Sequence, residues 1–240
     1  MSVLERQLES PVRPRLTLVE AVVATDAPAR PRWRGVFHLV AFFVAIPAAA
    51  LLVHAARGGQ ARTAAAVYGV ALCALFGVSG AYHRLPWSVA ARRRMRRADH
   101  ATIFVMIAAT YTPLCLVVLH GTLSIALLAC AWTGALAGAA MVATGLPERP
   151  GRGFVEFGLY LALGWMALTA LPQIASRTST ADLLLLMAGG LMFTVGATIL
   201  GRRRPDPAPL VFGYHEVWHT LVIAASICHY LMILSFVRGG

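Results

Sequence analysis

Residues 123–144 read LSIALLACAWTGALAGAAMVAT and contain no charged side chain. An α-helix needs about 20 apolar residues to cross the hydrocarbon core of a bilayer, and this stretch is long enough. Comparable stretches flank it on both sides. The predicted spans cover roughly residues 36–56, 63–83, 100–119, 123–144, 154–172, 182–200 and 211–237. The sequence therefore predicts an all-α membrane protein, a seven-transmembrane helix bundle.

The composition of the 240-residue chain supports this prediction. Hydrophobic residues make up 58% and charged residues 13%, and the mean hydropathy is +0.69. A soluble domain is about 45–50% apolar and about 25% charged, so this composition excludes an ordinary soluble protein. We expect residues 35–240 to form the transmembrane domain. Residues 1–34, which carry several prolines and six arginines, are predicted to form a flexible cytoplasmic tail.

The distribution of the cations predicts the orientation. All 21 are arginines, and they stand between the apolar stretches instead of forming one basic stripe, so no nucleic-acid partner is expected. Six lie in the tail, six in residues 84–97, two in 145–153 and three in 201–209, against four in the alternate loops. By the positive-inside rule, the N-terminus is cytoplasmic and the C-terminus is outside. We expect a multi-pass protein of the cell inner (plasma) membrane.

Three polar clusters interrupt the apolar spans. Span two ends with Ser79 and His83, span three opens with Asp99, and span seven opens with His215 and His219. The predicted topology puts all three clusters at the cytoplasmic end of the bundle. Because ionisable side chains are costly inside a membrane, they are usually functional. This shared depth therefore predicts one functional site.

The histidines in these clusters suit a metal ion. His215 and His219 are four residues apart, which places them on one helix face with about 5–6 Å between their Cβ atoms. His83 is the candidate third ligand. Three neutral imidazoles leave one coordination position open, as in catalytic zinc sites. We predict Zn²⁺, with iron, copper and nickel left as alternatives.

Asp99 and Ser79 are the predicted catalytic residues. A carboxylate near the metal can accept a proton from water or fix that water by hydrogen bonding. Ser79 lies one turn before His83 and can orient the water, the histidine or a substrate carbonyl. Two structural alternatives remain: Asp99 as a salt-bridge partner of the arginines in residues 84–97, and Ser79 bonded within its own helix.

The other titratable residues are expected to have structural roles. His229 lies fourteen residues beyond His215, about 21 Å along an ideal helix, too far to share its metal. Glu216 is expected to pair with an arginine and His100 to be interfacial or to support the metal ligands. Three further histidines are predicted to be interfacial or loop residues: His38, His54 and His120.

Taken together, the motifs resemble a known family. They are SGAYH at residues 79–83, DHATIFVMIAATYTP at 99–113 and YHEVWH at 214–219. Each is weak alone, but together they resemble the bacterial hemolysin III proteins, which belong with the progestin and adiponectin receptor family. The resemblance runs from about residue 35 to the end of the chain.

The resemblance carries specific implications. It implies seven helices, a cytoplasmic N-terminus and a zinc ion near the cytoplasmic face. By resemblance, His83, His215 and His219 bind the zinc, and Asp99 and Ser79 stand beside the water on the zinc. Some eukaryotic members of that superfamily are similar to ceramide-cleaving amidases.

The preferred functional hypothesis is a zinc-dependent hydrolase that cleaves a lipid amide or ester. If span seven begins near residue 210, His215 and His219 lie about 8–14 Å along it, near the level of acyl carbonyls. The expected partners are membrane lipids, including a ceramide-like or other acyl lipid substrate. A non-catalytic zinc-containing lipid receptor or sensor is the alternative. A pore-forming hemolysin is less favoured, because no span carries a repeated polar stripe.

Overall fold

Seven long helices make up the structure, a computed structural model that describes residues 31–148 and 153–239. Each is long and apolar enough to cross a membrane, and the described residues form no β-strand. In chain order they are α1 (Val36–Ala55), α2 (Gly59–Arg84), α3 (Val89–Val118), α4 (Gly121–Ala143), α5 (Gly153–Ala175), α6 (Thr180–Arg202) and α7 (Tyr214–Arg238). The prediction of an all-α seven-helix membrane protein is confirmed.

The predicted tail falls largely outside the described residues, which begin at residue 31. Its last residues are held in place by backbone hydrogen bonds to the segment before α7. The backbone N–H of Arg32 donates to the carbonyl of Leu210 at 3.0 Å, and that of Trp33 donates to Val211 at 3.2 Å. The chain is therefore anchored before the boundary predicted at residue 34.

Helix α3 begins eleven residues earlier than predicted. Ser88 caps it by accepting a hydrogen bond from the backbone N–H of Ala91 at 3.3 Å. The arginines that follow have good helix propensity, although they interrupt the apolar pattern. Consequently Asp99 lies about 15 Å along α3 instead of at its start.

Two helices depart from regular geometry near prolines. In α3 the α-helix ends at Pro113, and Leu114–Val118 form a π-helical turn. In α5 the residues Met166–Ala170 form a 3₁₀ segment just before Pro172. Because proline lacks a backbone N–H, it cannot continue the α-helical hydrogen-bond ladder there.

Helices α2, α3 and α7 contain the most buried spans. Successive helices pack as neighbours, and α7 returns to contact α1, α2 and α3. Glycines allow close approach of the helices: a Cβ atom at Gly138 would overlap the ring of Phe104, and one at Gly196 would overlap Trp218. The three buried helices are those that carry the polar clusters.

Candidate metal centre

The structure brings the three predicted histidine ligands together. His83 comes from the last turn of α2, and His215 and His219 come from the first two turns of α7. One ring nitrogen from each lies within 4.8 Å of the others. The Nε2 atoms of His83 and His215 are 3.2 Å apart. Two nitrogens bound tetrahedrally to one zinc at about 2.0–2.1 Å are separated by nearly this distance.

Asp99 and Ser79 complete the group. Asp99 Oδ2 lies 3.8 Å from Nε2 of His83, and their side chains are 15% and 7% exposed. The buried Ser79 hydroxyl donates a hydrogen bond to the Asp99 carboxylate. All five predicted site residues therefore meet at one end of the bundle. His215 and His219 lie only about 1.5 and 7.5 Å along their helix, because α7 begins at Tyr214 and not near residue 210.

A fourth histidine belongs to this group, and the sequence did not predict its place there. His38 is buried in the first turn of α1, and its ring stacks on His219 with centroids 3.8 Å apart and an interplanar angle of 8°. It is not the interfacial residue that was predicted. The available signal was topological, because the predicted start of span one lies at the same end of the bundle as the other clusters.

A buried ion pair attaches the start of α1 to α7. Arg34 Nε donates to Glu216 Oε1 at 2.5 Å, and Glu216 Oε2 accepts the backbone N–H of Gly213 at 2.9 Å. The Glu216 side chain is fully buried and that of Arg34 is 20% exposed. Glu216 thus pairs with an arginine, as expected. The pair fixes the first turn of α7, which carries His215.

Gly35 sets the approach of α1 to His83. Its φ is 75°, a backbone conformation that favours glycine. A Cβ atom at this position would overlap the Cβ of His83. Backbone and ligand side chain are therefore packed together with no space for another carbon.

The residues present fit a zinc ion. Imidazole nitrogens with a nearby carboxylate are a donor set that zinc accepts. His219 is buried, and its Nδ1 has no hydrogen-bond partner among the described residues. A buried polar atom is normally satisfied. A site that holds an ion accounts for three converging imidazoles and for the missing hydrogen-bond partner of His219 Nδ1 among the described residues.

A cavity of about 290 Å³ opens from this group and is lined mainly by apolar side chains. Its wall includes Asp99 and Ser79 and follows α7 from His215 to Met232, about 25 Å of an ideal helix. His229 lies in the deeper part, where its Nε2 is 3.4 Å from the carbonyl of Leu186. As predicted, it is remote from the three ligands.

Comparison with known proteins identifies the family. The family described as Haemolysin-III related matches residues 27–230. The chain belongs to this family. The assignment confirms the resemblance found in the motifs, and it places seven apolar helices in a family of multi-pass membrane proteins.

Relatives in this family come from bacteria and mammals. Hemolysin-3 of Bacillus cereus is 29% identical over 205 residues, covering 83% of this chain and 88% of the relative. The Hemolysin-3 homolog of Bacillus subtilis (strain 168) is 28% identical, covering 83% and 90%. The human monocyte to macrophage differentiation factor is 27% identical, covering 83% and 81%. The human relative fits the wider progestin and adiponectin receptor superfamily.

Proposed function

We propose that this protein is a zinc-dependent membrane hydrolase that cleaves an amide or ester bond of an acyl lipid, with ceramide-like lipids as the first substrates to test. One observation carries the proposal. Three imidazoles, a carboxylate and a hydroxyl converge inside a bundle of membrane-spanning helices, and four of these five groups, those of Ser79, Asp99, His215 and His219, line a long apolar cavity. This combination suits a lipid substrate whose reactive carbonyl lies at the polar end of the cavity.

Each part of the site has a role in this proposal. His83, His215 and His219 would hold the zinc, which supplies Lewis-acid chemistry toward a carbonyl oxygen when bound. Asp99 accepts the proton that the attacking water loses. Ser79 holds the Asp99 carboxylate in position through its hydrogen bond.

The rest of the molecule would select the substrate and its location. In this proposal the acyl chain would lie in the cavity beyond Asp99, whose wall is mainly apolar. Exposed arginines in the first turns of α3 attract anionic head groups, as basic segments beside a membrane do. We place the protein in the plasma membrane, with these arginines on the cytoplasmic side.

Metal analysis combined with lipid turnover tests the proposal. Protein purified in detergent is expected to hold about one zinc per chain and to release fatty acid from ceramide, acyl amide or phospholipid in a lipidomic screen. His219→Ala is expected to lose both the zinc and the activity. His54→Ala is the matched control, because His54 is exposed and remote from the cluster. It is expected to retain both.

The same measurements separate the alternatives. Wild-type protein that holds zinc, loses thermal stability on chelation and turns over no lipid would instead be a zinc-containing receptor or sensor. Conductance in planar bilayers that survives removal of the three histidines would indicate a pore. Either result would contradict the proposal that the protein is a hydrolase.

A further inference from the structure

A second polar cluster lines the same cavity and takes no part in the metal centre. His100 Nδ1 lies 2.7 Å from Glu156 Oε1, and the Tyr160 hydroxyl donates to that same oxygen at 2.6 Å. The Tyr160 oxygen is also 2.9 Å from the carbonyl oxygen of His100. Glu156 is buried, 8% exposed, in the first turn of α5. The cluster therefore joins α3 to α5 beside the cavity.

The hydrogen bonds assign the proton on the His100 ring. With Glu156 ionised, its carboxylate only accepts hydrogen bonds, and Nδ1 of His100 carries the hydrogen that points to it. The second ring nitrogen, Nε2, takes no part in the cluster. A carboxylate that holds an imidazole through Nδ1 fixes the ring orientation and leaves Nε2 free for proton transfer, as in the serine hydrolase triad.

The position of His100 suits a partner of Asp99. The two residues are adjacent on α3 and point about 100° apart around the helix axis. Both line the cavity, together with His215 and His219. One turn of α3 thus presents a carboxylate near the candidate ligands and an imidazole at a different point on the cavity wall.

We propose that His100 is a catalytic residue, the general acid that protonates the leaving group of the lipid. Glu156 and Tyr160 are positioning residues that orient its ring. The inference rests on the proposed hydrolase and identifies its substrate class: lipids whose leaving group is a basic amine or alkoxide, which departs slowly without a proton.

The atoms and electrons of the step balance. The oxygen of a water molecule forms a bond to the carbonyl carbon, and the proton it loses passes to Asp99. The carbon–nitrogen or carbon–oxygen bond breaks, and its electron pair stays on the leaving atom. His100 enters the step as an imidazolium with a proton on each ring nitrogen, and Nε2 donates its proton to that atom. Asp99 then gives up its proton and His100 regains one through solvent, so the net reaction is the addition of one water.

Leaving groups of different basicity test the proposal. Nitrophenolate departs without protonation, whereas ethoxide needs a proton, so we compare the 4-nitrophenyl and ethyl esters of one fatty acid. For His100→Gln, cleavage of the ethyl ester is expected to fall about 10²–10⁴-fold. Cleavage of the nitrophenyl ester is expected to stay within a few-fold of wild type. Zinc content should be unchanged, because His100 is not among the candidate ligands.

A second variant keeps the proposal testable if His100→Gln fails to fold. Glu156→Gln keeps the shape of the side chain and is expected to show the same preference for the nitrophenyl ester, with about a 10–100-fold loss on the ethyl ester. His54→Gln is the matched control, expected to cleave both esters as the wild type does.

Three results would overturn the inference. Equal losses of cleavage rate on both esters, with zinc retained, would show that the cluster has a structural role. Unchanged cleavage rates on both esters would show that the cluster takes no part in the reaction. In either case wild-type turnover would leave the proposed hydrolase standing. The third result is a wild-type protein that holds zinc and cleaves neither ester nor any lipid. It would contradict both the proposed hydrolase function and the inference about His100.

Discussion

His38 stacks its ring on His219, a candidate metal ligand. Its ring lies flat against His219, and neither of its ring nitrogens has a hydrogen-bond partner among the described residues. Its other aromatic neighbour is Phe76, with ring centroids 5.1 Å apart. The face of the His38 ring therefore makes the contact with the side chain of His219.

Two replacements of His38 distinguish a role of its aromatic ring face from a role of its ring nitrogens. His38→Ala removes the stacked ring and is expected to weaken zinc binding about 10-fold, within the range typical for groups that support metal ligands. His38→Phe keeps an aromatic face and is expected to bind zinc within a few-fold of wild type. Competitive titration with a zinc indicator measures both. An equal loss in the two variants would contradict a stacking role, since it would implicate the His38 nitrogens.

The sequence predicts the site residues that stand out by chemistry and spacing. His215 and His219 are recognisable because residues four apart lie on one helix face. Asp99 is recognisable because a carboxylate in an apolar span is costly and is usually functional. His38 has no such partner in sequence. Its contact with His219 depends on how α1 packs against α7, which no local pattern specifies.

At the level of the helices, glycine determines how closely α1 approaches α2. Gly35→Ala places a side chain at a positive φ and against His83. We expect the variant to be about 1–3 kcal/mol less stable, the range for strained backbone conformations. It should also bind zinc more weakly, because His83 must move.

A second glycine supplies the control for this prediction. Gly58 also has a positive φ, 90°, but a Cβ atom there would meet nothing within 4 Å. Gly58→Ala is expected to lose stability while keeping its zinc affinity. Thermal unfolding and zinc titration of both variants make the comparison. Equal zinc affinity in the two would show that the contact of Gly35 with His83 does not position the ligand.

The ion pair between Arg34 and Glu216 also acts between helices. Arg34→Met leaves a buried carboxylate without its cation and is expected to lower the free energy of unfolding by about 3–5 kcal/mol. Adding Glu216→Gln removes the charge, and the double variant is expected to recover much of this loss. Equilibrium unfolding of the two single variants and the double variant measures the coupling. Strict additivity would show that the pair contributes no interaction energy.

Helix positions follow from hydropathy better than helix ends do. All seven spans are recognisable because each must bury its backbone polar groups in an apolar segment of fixed length. The start of α3 is not, since the arginines after Ser88 continue a helix outside the apolar stretch. The 3₁₀ segment of α5 depends on Pro172, which removes a backbone hydrogen bond. Hydropathy does not measure this effect.

For the molecule as a whole, the arginine distribution predicts which end of the bundle is cytoplasmic. Alkaline phosphatase, active only outside the cytoplasm, is expected to be active when fused after Arg238 and inactive when inserted in residues 145–153. Green fluorescent protein at the same positions should give the opposite pattern. A reversed pattern would put the metal centre at the outer surface and would contradict the proposed cytoplasmic location.

The division of ligands between α2 and α7 has a consequence for biosynthesis. Chains emerge from the ribosome N-terminus first, at about 5–20 residues per second, so α7 is made after the other six helices. Until it inserts, His83 and Asp99 lack the two histidines that complete their site. The three candidate ligands therefore come together only after α7 has been made. A chain truncated before Tyr214 would lack His215 and His219, two of the three candidate ligands.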